Sequence, residues 1–187
     1  QLYGLTTDQI QALTTDQVAG LTVIQVSKLS AEQIGALDAT QLPKLTTAQV
    51  AALTATQASA ISTSAISAME TTDVAALSTS ALRALTTDQI QQMTTSQIIA
   101  ITTDQITALT IGQLHDLTTA QAAALTAPQL TAMTAPQITE LMTTFAVTPL
   151  ILDLNGDGVH TVGIAQGVEF DLTGSGVQHA VGWVSAS

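Results

Sequence analysis

Apolar residues recur every eight positions along most of the chain. Leu, Ile or Met opens each octad from Leu5 to Met133, and the frame does not slip across residues 5–140. The consensus octad is apolar, Thr, any, any, Gln, apolar, any, small, and residues 5–12, LTTDQIQA, are a clear copy. Seventeen octads in register indicate a repeat protein.

Each octad carries the signals of a helix start. The second position is Thr, Ser or Asp in every octad except the one with Glu70, and the fifth is Gln in fourteen of seventeen. With Thr6 as N-cap, Gln9 falls at the third helical position, so the two side chains can close a capping box. In seven of the seventeen octads the second helical position holds an acid or a proline, both favourable in a first turn: Asp8, Asp16, Glu32, Asp88, Asp104, Pro128 and Pro136.

Two other folds compete with short helices. In a continuous helix an eight-residue stripe would drift by about 80° per octad, and Pro43 would break the helix. A β-solenoid suits Thr and Ile, but clean two-residue alternation is missing. We therefore predict a mainly α solenoid of short, re-capped helices of one to two turns. We expect stacked neighbours to bury the first and sixth positions of each octad. Ala at the eighth position in eleven of seventeen octads suggests that the backbones of neighbouring helices approach closely.

Composition narrows the function classes. Hydrophobic residues make up 46% of the chain but aromatic residues only 2%, which fits a thin repeated core. With three basic residues and a net charge of −11, we expect no nucleic-acid partner. We also expect no membrane insertion, because no apolar run is long enough. Without cysteine, no disulfide or thiolate metal site can form. The chain starts inside the repeat pattern, so we expect a fragment of a longer protein, and the missing signal peptide says little about that protein.

The pattern changes at about residue 145. We predict an octapeptide-repeat α-solenoid over 1–144 and a small β-rich segment with a calcium-type loop over 145–187. An apolar strand runs into Asp153-x-Asn155-x-Asp157-Gly158, the front half of a calcium loop. Ile164 stands where an EF-hand has its bidentate Glu, so Asp171 or Glu169 would complete the shell. The alternative is an ordinary hairpin turn. The candidate Ca²⁺ residues are Asp153, Asn155, Asp157, Val159 and Asp171.

Residues 147–187 resemble a segment of RTX-type bacterial exoproteins, which are calcium-binding toxins and adhesins exported by type I secretion. The resemblance lies in residues 149–159, PLILDLNGDGV, in residues 167–171, GVEFD, and in residues 182–185, GWVS. It implies an extracellular or cell-surface location and calcium-stabilised folding. Thr173 and Ser175 depart from the more acidic second loop of that family, and its glycine-rich nonapeptides are absent. Octads of this Thr-x-x-Gln type also occur in such exoproteins, as a looser match.

Catalytic motifs are not found. His115, His160 and His179 are scattered, and no nucleophile elbow or phosphate-binding loop is present. The regular threonines suggest an ordered hydroxyl array for ice or glycans, but helix capping accounts for them.

We therefore predict a protein that is not an enzyme. The first hypothesis is a structural spacer within a secreted or cell-surface RTX-like protein, and the second is a binding module with a protein or glycan ligand on the solenoid surface. The third is a non-catalytic fragment of a secreted toxin or hydrolase whose active domain lies elsewhere.

Overall fold

The computed structural model describes residues 4–145 and the short segments 169–170 and 179–180. The chain divides into two compact units, Gln1–Thr148 and Pro149–Ser187.

The described part of the first unit is a succession of short helices, one per octad. Most have five or six residues, and a 3-10 helix, Leu42–Lys44, takes the place of an α-helix between the fourth and fifth. The helices are α1 (Thr7–Gln11), α2 (Thr15–Ala19), α3 (Val23–Lys28), α4 (Ala31–Gly35), α5 (Thr47–Ala51), α6 (Ala55–Ala60), α7 (Thr63–Ala68), α8 (Thr71–Ala76), α9 (Thr79–Ala84), α10 (Thr87–Gln92), α11 (Thr95–Ala100), α12 (Thr103–Ala108), α13 (Ile111–His115), α14 (Thr119–Ala123), α15 (Ala127–Ala132) and α16 (Ala135–Phe145).

Two extended residues interrupt the helix at the boundary between most octads. Between α11 and α12, Ile101 has φ −59° and ψ 124°, and Thr102 has φ −71° and ψ 164°. Neither conformation needs glycine. The new helix starts at once because Thr102 caps it: the Thr102 hydroxyl accepts a hydrogen bond from the Gln105 N–H.

Each helix packs against the helix three octads earlier. Thus α9 packs on α6, α12 on α9 and α15 on α12. Three octads, or 24 residues, therefore make one turn of the array. The prediction of a helical repeat array in a solenoid-like arrangement is confirmed.

The core runs through the middle of this array. Side chains at the sixth position are buried in the first fourteen octads, as in Ile90 and Ile106, which are 0% exposed, and partly buried in the last three. First-position residues close the core beside them, and Leu77 and Leu85 are each 3% exposed. The predicted burial of the first and sixth positions is confirmed over most of the array.

The octad at 37–44 differs from its neighbours. Asp38 caps it by accepting from the backbone N–H groups of Thr40 and Gln41, and these hydrogen bonds, with one from the Thr40 hydroxyl, hold the pKa of Asp38 below its ordinary value. Pro43 has no N–H to continue an α-helical ladder. The chain therefore forms the 3-10 helix Leu42–Lys44 instead.

The last helix also departs from the octad rule. We expected the repeat to end near Leu141, with a junction at 142–146, but α16 continues through Leu141 to Phe145. Met142 stands where the octads have Thr, Ser, Asp or Glu, so its side chain offers no oxygen to cap a new helix. The helix continues through this position.

Little of the second unit is described. Strands β1 (Glu169–Phe170) and β2 (His179–Ala180) pair antiparallel, with Glu169 opposite Ala180 and Phe170 opposite His179. The β-rich fold predicted for residues 145–187 stays a prediction.

Candidate functional site

The fifth-position glutamine is the polar group around which the array is organised. In α12, the Gln105 Oε1 atom accepts from the Thr102 N–H at 2.8 Å, and the Gln105 N–H donates to the Thr102 hydroxyl at 3.2 Å. The same capping box closes in α1–α6 and in α10–α15, and Asp38 and Gln41 make the same reciprocal pair of hydrogen bonds in the octad at 37–44. The capping predicted from the octad is confirmed there, and the Thr hydroxyls serve as caps.

The other end of the same side chain reaches the preceding turn. The Gln105 Nε2 group donates to the carbonyl oxygens of Leu77 at 2.6 Å and Val74 at 3.0 Å. These residues precede Gln105 by 28 and 31 positions. They lie in and just after the last turn of α8, where the donors of the α-helical ladder run out. The Val74 carbonyl also accepts from the Leu77 N–H at 3.2 Å. One carboxamide therefore caps the start of its own helix and the end of a helix in the turn below.

This glutamine bridge recurs along the array. Gln97 donates to Met69 and Ile66, both at 2.8 Å, and Gln121 donates to Met93 and Ile90, both at 2.7 Å. The bridging side chains are almost completely buried. They are Gln33, Gln41, Gln49, Gln57, Gln89, Gln97, Gln105, Gln113, Gln121, Gln129 and Gln137.

The bridge explains why this position is Gln rather than Glu. Glu would complete the capping box and suit the helix N-terminus equally well. An ionised Glu, however, has no N–H for the carbonyls of the turn below. The seventeen octads contain no Glu at the fifth position, and this was the sequence signal for the bridge. Sequence reasoning found the cap and missed the bridge.

Two regions of the array lack bridges. Gln9, Gln17 and Gln25, in the first turn, close their own caps but are exposed, and within residues 4–145 their Nε2 groups meet no carbonyl. Octads 8–10 have Ala65, Asp73 and Ala81 in place of Gln. These three consecutive octads, residues 61–84, make up one complete turn, named here the unbridged turn.

An ion pair links two neighbouring turns near the end of the array. Nδ1 of His115 in α13 lies 2.7 Å from Oε1 of Glu140 in α16, and the Thr144 hydroxyl donates to the same oxygen at 2.7 Å. The hydrogen bond to Glu140 raises the pKa of His115. The hydrogen bonds from Thr144 and His115 lower the pKa of Glu140.

The calcium site predicted from the sequence lies outside the described residues. The candidate Ca²⁺ residues outside the described part of the chain are Asp153, Asn155, Asp157, Val159 and Asp171. Thr173 and Ser175 of the second loop also lie outside it. In the part of the chain that is described, no group of three His, Asp or Glu side chains could hold a metal ion. None of its helices combines the length and apolar character needed to cross a membrane.

Two family models match parts of the chain. Residues 1–23, 66–103 and 82–111 match the ALTTAQ repeat, and residues 150–187 match the SPM domain. No curated protein and no solved structure matches the chain. Neither family description names an RTX-type protein, so that resemblance stays a prediction. The segments of the array that match are similar to the ALTTAQ repeat, and the chain is a repeat protein.

Proposed function

We propose that residues 4–145 act as a stiff spacer. The observation that carries this proposal is the glutamine bridge, which ties every turn except the unbridged turn to the one before it through buried hydrogen bonds. Two neighbouring turns can tilt apart only if buried carbonyls lose their donors. An unsatisfied buried polar group costs about 1–3 kcal/mol, so bending at a bridged turn is strongly opposed.

The first turn shows how such a spacer can have any length. The exposed amides of Gln9, Gln17 and Gln25 have the same spacing as the bridging amides above them. A further turn of octads placed below would offer carbonyls to all three. The number of octads therefore sets the length of the spacer while its cross-section stays constant.

Distance measurements between two spin labels test the stiffness. The chain has no cysteine, so Ala75→Cys and Ala123→Cys, both at exposed seventh positions, place labels in the ninth and fifteenth octads, with only bridged turns between them. A spacer predicts a single narrow distance distribution by pulsed electron paramagnetic resonance. A broad distribution in the otherwise unaltered chain would disprove the proposal.

Two matched triple variants show whether the bridges are the cause. The Gln89→Ala/Gln97→Ala/Gln105→Ala variant removes every bridge made by one turn, and we expect its distribution to broaden. The Gln9→Ala/Gln17→Ala/Gln25→Ala variant removes as many carboxamides from a turn that makes no bridge. Its distribution should stay narrow.

The kind of protein that contains this spacer, and its location, are also proposals. The resemblance of residues 147–187 to RTX-type exoproteins supports a secreted or cell-surface bacterial protein, with a calcium-stabilised loop after the array. The same resemblance supports the alternative of a non-catalytic part of a secreted toxin or hydrolase. A protein or glycan ligand on the solenoid surface is compatible with either setting.

A further inference from the structure

The unbridged turn leaves carbonyl groups of the turn below without donors. In a bridged turn, the fifth-position side chain donates to the carbonyl 28 residues earlier. For Ala65, Asp73 and Ala81, the corresponding carbonyls are those of Leu37, Leu45 and Leu53. Those three residues are 1%, 3% and 2% exposed. Within residues 4–145, no donor is hydrogen-bonded to their carbonyl oxygens. Buried carbonyls are rarely left in this state.

Asp73 is the only polar side chain among the three replacements. It is 4% exposed, and among the described residues its carboxyl group has no hydrogen-bond partner. Glu70, the N-cap of the same helix, makes no side-chain cap. Helix α8 packs directly on α5, the helix that follows Leu45. In the register of the repeat, Asp73 follows Leu45 by 28 residues, as Gln105 follows Leu77.

The protonation state decides what this carboxyl can do. An ionised carboxylate only accepts hydrogen bonds, so it repels the Leu45 carbonyl oxygen. A protonated carboxyl has one O–H, which can donate to that oxygen directly or through one bound water. The proton then takes the place of the carboxamide N–H.

We propose that Asp73 is a proton-binding joint of the array, which links octads 9 and 6 when protonated and loosens the unbridged turn when ionised. The helices packed against α8 are α5 and α11, and neither carries a titratable side chain. Glu70 is the charged neighbour. Burial raises the pKa of Asp73, and the negative charge of Glu70 raises it further. This inference does not depend on the spacer function.

The sign of the pH effect follows from the raised pKa. The folded state binds the Asp73 proton more tightly than the unfolded state does. The contribution of this group to stability is therefore complete below the unfolded aspartate value of about 3.9. It falls as the pH rises from there through the folded pKa.

Thermal unfolding of the full chain between pH 3.5 and 7.5 tests the joint. Asp73→Asn keeps the shape and donates without titrating. We expect its melting temperature to differ little from that of the unaltered chain at pH 3.5 and to exceed it increasingly as the pH rises. Asp104→Asn, at an exposed first-turn position, removes the same charge and should show no such gain. A melting-temperature difference for Asp73→Asn that does not grow with pH would overturn the proposal.

A direct titration covers the case in which the variant does not fold. The Asp73 carboxyl carbon of the unaltered chain can be followed by NMR against pH. We expect its midpoint above the unfolded aspartate value of about 3.9. A midpoint at or below that value would also overturn the proposal.

Discussion

The side-chain amide of Gln105 lies 2.6 Å from the carbonyl oxygen of Leu77, which precedes it by 28 residues. Gln105 Oε1 meanwhile accepts from the Thr102 N–H in its own helix. The two ends of one carboxamide thus join a local contact to a contact between turns. Gln105 therefore has two structural roles. It completes a capping box with a residue three positions away, and it holds two successive turns together.

A negative charge at the fifth position of an octad should destabilise the fold where a glutamine bridge exists. Gln105→Glu keeps the cap acceptor but turns a carboxylate toward the carbonyls of Leu77 and Val74. We expect the free energy of unfolding in urea at pH 7 to fall by about 2–3 kcal/mol, because buried carbonyls lose their donor. Gln9→Glu, at an exposed and unbridged position, should change it by less than about 0.5 kcal/mol. Equal effects of the two substitutions would mean that the bridge contributes nothing.

The N-cap hydroxyls make a smaller, separate contribution. Thr102→Ala removes the acceptor for the Gln105 N–H and should lower the free energy of unfolding by about 1 kcal/mol. Thr102→Ser keeps the hydroxyl and should cost much less. Chemical denaturation of the three proteins measures the differences. A neutral Thr102→Ala together with a neutral Ile106→Ala would contradict the assigned phase of the octad, since Ile106 is 0% exposed.

The ion pair of His115 and Glu140 predicts a pH effect near neutrality. Its hydrogen bond to Glu140 raises the pKa of His115. The stabilisation is therefore present below the unfolded histidine value of about 6.5 and is lost as the pH rises through the folded pKa. NMR titration of the His115 ring should show a lower pKa in Glu140→Gln than in the unaltered chain. An unchanged midpoint would show that the pair does not form in solution.

Calcium should stabilise the C-terminal segment if Asp153, Asn155 and Asp157 bind it. An ion that binds only the folded state adds about 2.7 kcal/mol at a hundredfold excess over Kd. We expect millimolar calcium to raise the melting temperature of residues 147–187 and EDTA to lower it. Asp153→Ala/Asp157→Ala should abolish the response, whereas Thr173→Ala should retain most of it. A full response in the double variant would place the calcium site elsewhere or reduce this loop to an ordinary turn.

Local features of the fold were readable from the octad. Thr102 and Gln105 lie three residues apart, and their capping box needs no distant partner. The two departures have local signals as well: Pro43 disfavours an α-helix in its octad, and Met142 has no side-chain oxygen to cap a new helix. The calcium loop depends on residues outside the described part, so its prediction rests on sequence alone.

Asp73 shows what the octad pattern could not reveal. In the sequence, Asp73 is one of three fifth-position residues that are not Gln, and the other two, Ala65 and Ala81, lie eight residues before and after it. Only the stacking of three octads per turn shows that the three exceptions fill one complete turn. Only burial of the site shows that a carboxyl there lies in surroundings that oppose its ionisation.

The sequence by itself determined the short helices, their starting points and the two apolar positions that form the core, because capping and helical periodicity act within eight residues. The tertiary structure decided that three octads make a turn. It thereby decided that Gln105 meets Leu77 and that the octads of Ala65, Asp73 and Ala81 share one turn. The physical reason is one of range: a hydrogen bond across 28 residues depends on the angle through which successive helices turn, and packing of the buried side chains between turns sets that angle.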